Sequence, residues 1–195
     1  MSIEPVIIEV RTTLVDTFSN IDAWFEKDSA LRAYRPSNSG WTINEILEHI
    51  GLTNHYLFIL IEKATSKALA NTQQADLPTE LANHVFQYEK LAEIGLHKSF
   101  PWIRPEHMEP TGATPLAEVR QQLKDQVQQC LNTLDKLSHG EGVLYKTTMS
   151  VNGLGKLNVY EYIYFLAQHG RRHIMQMEKN ELEFNSATAQ DILQR

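Results

Sequence analysis

A single cysteine, Cys130, stands in 195 residues. No internal disulfide can staple the fold, which suits a reducing compartment. No stretch approaches the roughly 18 unbroken apolar residues of a membrane-spanning helix, so no membrane partner is expected. The opening Met1-Ser2-Ile3-Glu4-Pro5 lacks the basic start and small-residue cleavage site of a signal peptide, and a cytoplasmic location is expected. Positive charge is also short: 18 Lys and Arg face 24 Asp and Glu, a net charge of -6. A nucleic-acid backbone gains nothing from that balance, and Arg171-Arg172 is the only local basic pair, so no nucleic-acid partner is expected.

No repeat, low-complexity segment or domain boundary interrupts the chain. With 42% apolar and 22% charged residues it has an ordinary globular composition. It is long enough to bury a core of its own, and a single domain over residues 1–195 is expected.

What is present is helical periodicity. Val6, Val10, Leu14, Ile21 and Phe25 fall mostly three or four apart, the stripe of an amphipathic helix. The polar run from Arg35 to Gly40 reads as a loop. Trp41-Thr42-Ile43-Asn44-Glu45-Ile46 then carries a full helix start. Thr42 and Glu45 form a capping box, and Trp41 and Ile46 are placed as its hydrophobic staple. This second helix continues through Ile50, Leu57 and Ile61. Asp76-Leu77-Pro78-Thr79 opens a further helix through Leu91, closed by Gly95.

Residues 100–110 hold too many prolines for a helix and read as an extended crossover over one end of the molecule. Thr114 is expected to cap the next helix, with Pro115 at its first position and Leu116, Leu123, Val127, Leu131, Leu134 and Leu137 as its stripe. Cys130 borders that stripe as a small core residue. Residues 143–157 with the turn pair Asn152-Gly153 suggest a short β ribbon. Asn158 and Glu161 form a second capping box ahead of the last helix, and the tail after Phe184 reads as weakly ordered.

Four main helices follow, near residues 4–26, 42–69, 115–138 and 158–179, within about 2–4 residues at each end. The fold class is all-α, a four-helix bundle with a long crossover between the second and third helices. The first and second helices, and the third and fourth, are expected as antiparallel neighbours.

The chemistry sits in the fourth helix. His169 and His173 are four apart, so their rings stack on one helical face about 5–6 Å apart. His49, on the core-facing side of the second helix, is a third candidate for the same point. Three histidines with positions left over for water or substrate fit a catalytic metal site. Imidazole suits Zn, Ni, Cu and Fe(II) alike. His55, about 240° around the helix from His49, is read as a non-ligand.

An HExxH protease is excluded because Gly170 follows His169. Di-iron carboxylate chemistry is excluded because Ile46, Leu166 and Gly170 stand three residues before the histidines. Gly170 itself implies close approach by another backbone or by a ligand. Glu161 reads as a cap or a general base, and Gln176 as an orienting residue or a bundle contact. His107 is a candidate fourth ligand or lid contact. Tyr56 and Tyr164 are core aromatics or proton donors, and Arg171 and Arg172 a solvated face or holders of an anionic substrate.

Trp41-Thr42-x-x-Glu45-x-x-x-His49, followed far downstream by His169-x-x-x-His173-x-x-Gln176, resembles the DinB-like family of metal-binding four-helix bundles (DinB/YfiT-like). The likeness spans nearly the whole chain, including the linker from Pro105 to Pro110. It implies that His49, His169 and His173 bind a divalent metal ion, zinc or nickel, with iron or manganese as alternatives. Relatives include bacillithiol- and mycothiol-dependent transferases and metal-dependent hydrolases. By that likeness the protein is a transferase of a small thiol or a hydrolase, with a small-molecule substrate, a low-molecular-weight thiol among the candidates, and a homodimeric state. The alternative is a non-catalytic metal-binding or stress-associated binding protein. No thiol-cofactor pocket is evident in the sequence.

Overall fold

The computed structural model describes residues 3–97, 99–100 and 105–193, with side chains through residue 189. The expected residues 101–104 of the crossover lie outside that set. Helix makes up 74% of the structure, which fits the all-α expectation.

Helix α1 (Glu4–Ala23) has Pro5 in its first turn and buries Ile7, Val10, Leu14, Phe18 and Ile21 along one face. A 3-10 turn, Trp24–Glu26, continues it. Asp28 caps the short α2 (Ser29–Ala33) by accepting from the amides of Ala30 and Leu31. Helix α3 (Ile43–Asn71) starts on the expected capping box. The Glu45 amide donates to Thr42 Oγ1 at 3.2 Å, and the Thr42 amide donates to Glu45 Oε2 at 2.7 Å.

The single helix expected from Asp76 to Leu91 is instead two, α4 (Leu77–Asn83) and α5 (Tyr88–Ala92). Tertiary contacts break it: the Gln87 amide donates to Glu161 Oε1 at 3.2 Å, and Asn158 Nδ2 lies 3.3 Å from His84 Nε2. A 3-10 turn, Glu93–Gly95, follows, and another, Glu106–Met108, lies in the crossover.

Helix α6 (Leu116–Lys136) buries Val119, Leu123, Cys130 and Leu134. Its cap is Pro115, not Thr114. The Thr114 hydroxyl is committed elsewhere, donating to Glu48 Oε1 at 2.8 Å. The ribbon is present: β1 (Thr147–Met149) and β2 (Gly155–Leu157) pair antiparallel, with Met149 opposite Gly155. Asn152 and Gly153 turn the chain at φ 47° and 64°, the left-handed region such a turn requires.

Helix α7 (Val159–Leu193) begins on the second box, with Asn158 and Glu161 exchanging bonds of 2.9 and 3.1 Å. It runs well past Phe184, contrary to the weakly ordered tail expected there. Lys27 reaches Glu181 at 2.8 Å, Tyr34 Oη and the Ser37 amide both donate to Glu183 Oε1, and the Tyr34 and Phe184 rings meet edge-on at 5.5 Å. Those contacts carry the helix beyond its apolar stripe.

Every residue from 157 to 170 is buried. A segment enclosed all round is a core helix rather than a surface one, and α7 packs against both α1 and α3. Helix α6 also packs against both. The consecutive helices α1 and α3 therefore lie across the bundle from each other, as do α6 and α7. They are not the adjacent pairs expected. The connections over 24–42 and 137–158 contain helical turns and the ribbon, and they are long enough to span a diagonal. Among the described residues, no helix is long and apolar enough to cross a membrane.

Gly170 has its explanation here. A Cβ at this position would stand 2.9 Å from Thr17 Cγ2 and 3.0 Å from Ile21 Cδ1, so α1 makes the close approach. Alanine would gain roughly 1 kcal/mol of helix propensity, but overpacking costs about 1–3 kcal/mol. Thr17 is β-branched and stiff in a helix, so the clash outweighs the gain. Gly170→Ala is expected to lower the denaturation midpoint, and adding Thr17→Ser, which removes Cγ2, is expected to recover most of the loss. Equal midpoints for wild type and Gly170→Ala would contradict this packing.

Candidate metal centre

Helix α3 carries His49 and helix α7 carries His169 and His173, and the packing of these two helices brings the rings together. All three are buried, with 1–6% of their surface exposed. One nitrogen from each ring can be chosen so that the three lie within 4.8 Å of one another. His169 Nε2 and His173 Nε2 are 3.0 Å apart. That equals the edge between two ligands about 2.1 Å from one ion and roughly at right angles. Among the described residues, no carboxylate or thiol joins this cluster.

Two of the three rings are oriented by an oxygen. His49 Nδ1 lies 2.7 Å from the carbonyl oxygen of Met108. A carbonyl can only accept, so Nδ1 carries the hydrogen and Nε2 carries the lone pair. Thr53 Oγ1 lies 3.4 Å from that Nε2. His173 Nδ1 donates to Gln176 Oε1 at 3.0 Å, which leaves its Nε2 facing His169. Oxygen partners behind the ring are the usual support of metal-binding histidines. The indole of Trp41 packs on the His49 ring at 4.6 Å.

Burial holds His169 well below its ordinary pKa of 6.5, with His173, His49 and Arg172 adding in the same direction. The ring is neutral at physiological pH, the form that can donate a lone pair to a metal.

The other candidates separate cleanly. His55 is exposed, its ring against Tyr56. His107 is also exposed and packs on Tyr56 at 4.3 Å, outside the cluster. Glu161 is raised by burial but spends both oxygens on the amides of Asn158 and Gln87, so it is a cap. Tyr164 is a core aromatic against Phe86 and Tyr88. Arg171 is exposed, whereas Arg172 donates to the Leu96 carbonyl and lies over Phe100 at 5.2 Å. Cys130 is buried and its thiol is pushed up to about 12.

Sequence reasoning missed the Met108 carbonyl, because a main-chain oxygen leaves no mark on residue identity. It also missed Thr53 as a partner of His49. There the i, i+4 spacing was the available signal.

The suppressed pKa of His169 gives a stability prediction. Unfolded His169 takes up a proton near pH 6.5, and the folded ring does so only at much lower pH. Stability is therefore present above 6.5 and lost as pH falls toward the folded value. His84, also lowered by burial, has the same sign. Thermal denaturation between pH 7 and 5 should show a falling midpoint. His169→Gln should flatten that slope by at most about 1.4 kcal/mol per pH unit; an unchanged slope would show that His169 already binds a proton in the fold.

No curated protein and no solved structure gives a significant match to the chain. The family model described as the DinB superfamily matches residues 9–177, a span that holds all three histidines. The chain belongs to the DinB superfamily.

Proposed function

We propose that His49, His169 and His173 bind one divalent metal ion, zinc or nickel with iron or manganese as alternatives. On this reading the protein is a metal-dependent transferase of a small thiol, or a hydrolase of a small molecule. The observation that supports it is the convergence of three buried imidazoles, two of them backed by oxygens that leave Nε2 unprotonated.

When bound, such an ion lowers the pKa of a coordinated water or thiol, so that the reactive anion exists near neutral pH. The chain's own part is to hold the rings. Met108 and Gln176 fix two of them, and Trp41 covers one face of His49. Neutral ligands leave the ion's positive charge undiminished, which favours an anionic nucleophile. Cys130 cannot supply that nucleophile, being buried with its thiol pKa pushed up to about 12. A thiol would have to arrive as a cosubstrate.

The near-complete burial of all three rings favours a second reading, a non-catalytic metal-binding protein. The absence of a carboxylate base in the cluster among the described residues points the same way.

Two measurements divide these readings. Wild-type protein should hold about one metal ion per chain by elemental analysis, and the double variant His169→Ala with His173→Ala should hold none while its circular dichroism stays helical. Full metal content in the double variant would place the ion elsewhere. Turnover of a general electrophile with bacillithiol, mycothiol or another small thiol should depend on metal and fall at least tenfold in His49→Ala. A metal-loaded wild type with no turnover across thiols and hydrolysable substrates would leave the binding-protein reading.

A further inference from the structure

Glu48 immediately precedes His49 and is only 5% exposed. A buried carboxylate is costly unless hydrogen bonds replace its water. Among the described residues its partners are all on the crossover, and none is a cation. Oε1 accepts from the Thr111 amide at 3.3 Å, from Thr111 Oγ1 at 2.9 Å and from Thr114 Oγ1 at 2.8 Å, and Oε2 accepts from the Gly112 amide at 2.7 Å. Gly112 has φ +70°, a conformation that favours glycine and turns its amide onto the carboxylate.

The same crossover supplies the Met108 carbonyl, only three residues before Thr111, to His49 Nδ1. Around Met108 the chain has one 3-10 turn and no longer element to hold it. It is fastened to α3 on both sides, by His107 on Tyr56 and by Thr111, Gly112 and Thr114 on Glu48.

We propose that Glu48 is a positioning residue for the histidine cluster. It anchors residues 111–114 so that the Met108 carbonyl stays on His49 Nδ1, which holds His49 as the Nδ1–H tautomer with its lone pair on Nε2. The tautomer claim stands on the geometry alone; its consequence for metal affinity rests on the metal-site reading above. A merely structural Glu48 would affect melting temperature and nothing about the proton on His49.

The test uses the full chain, metal-free and labelled with 15N-histidine, and reads each tautomer by long-range 1H–15N correlation. Wild-type His49 should show a protonated Nδ1 and an unprotonated Nε2. Glu48→Ala should move His49 to exchanging or Nε2–H signals and weaken zinc binding about 10- to 100-fold. Glu48→Gln, which keeps one acceptor, should retain most of the wild-type pattern. If Glu48→Ala does not fold, the pair Thr111→Val and Thr114→Val removes two of the four bonds and should shift His49 in the same direction.

Wild-type His49 signals in a folded Glu48→Ala protein would overturn the proposal, whatever the loss in melting temperature. So would Nε2–H signals in the wild type. Wild-type protein that binds no zinc would count against the metal reading alone, because the tautomer is read without metal.

Discussion

The site depends on how an apolar bundle accommodates three imidazoles. A neutral ring brings one N–H and one lone pair into the core, and each is costly if left unmatched. In this chain the N–H groups of His49 and His173 are taken by oxygens, the Met108 carbonyl and the Gln176 amide. The lone pairs of His49 and His173 are left on the inner side, where His173 Nε2 faces His169 Nε2 at 3.0 Å. Burial works in the same direction by keeping His169 neutral. Polar satisfaction behind the rings and metal-ligand character in front of them are one arrangement.

That arrangement requires α3 and α7 to be neighbours, and the bundle's connections allow it. Had the consecutive helices packed side by side throughout, the contacts of α3 and α7 would differ. The connections 24–42 and 137–158 are long and structured, so α7 sits between α1 and α3. Gly170 shows how tight that placement is, because α1 occupies the space a side chain would fill beside His169. Membership of the DinB superfamily over residues 9–177 agrees with this architecture and leaves the reaction to be determined by the site.

Much of this was legible in the residues. Both capping boxes, the ribbon turn at Asn152-Gly153, the buried Cys130 and the shared face of His169 and His173 follow from local chemistry and periodicity, whereas the meeting of His49 with that pair depends on the packing of α3 on α7. What failed was set by contacts distant in sequence. Thr114 looks like a cap until Glu48 claims its hydroxyl. The segment 76–91 looks like one helix until Glu161 takes the Gln87 amide. The end of α7 looks frayed until Glu183 meets Tyr34 and Ser37. The diagonal packing could not be read from stripes that say which face is buried but not against which helix.

On the metal-site reading the three rings serve one ion. X-ray absorption on zinc-loaded protein, together with anomalous scattering at the zinc edge from its crystals, tests it most directly. The expected result is a single ion with three imidazole nitrogens from His49, His169 and His173 at about 2.0–2.1 Å and at least one non-protein ligand completing the sphere. An ion bound to exposed histidines such as His55 or His107, or a loaded protein whose cluster stays empty, would contradict it.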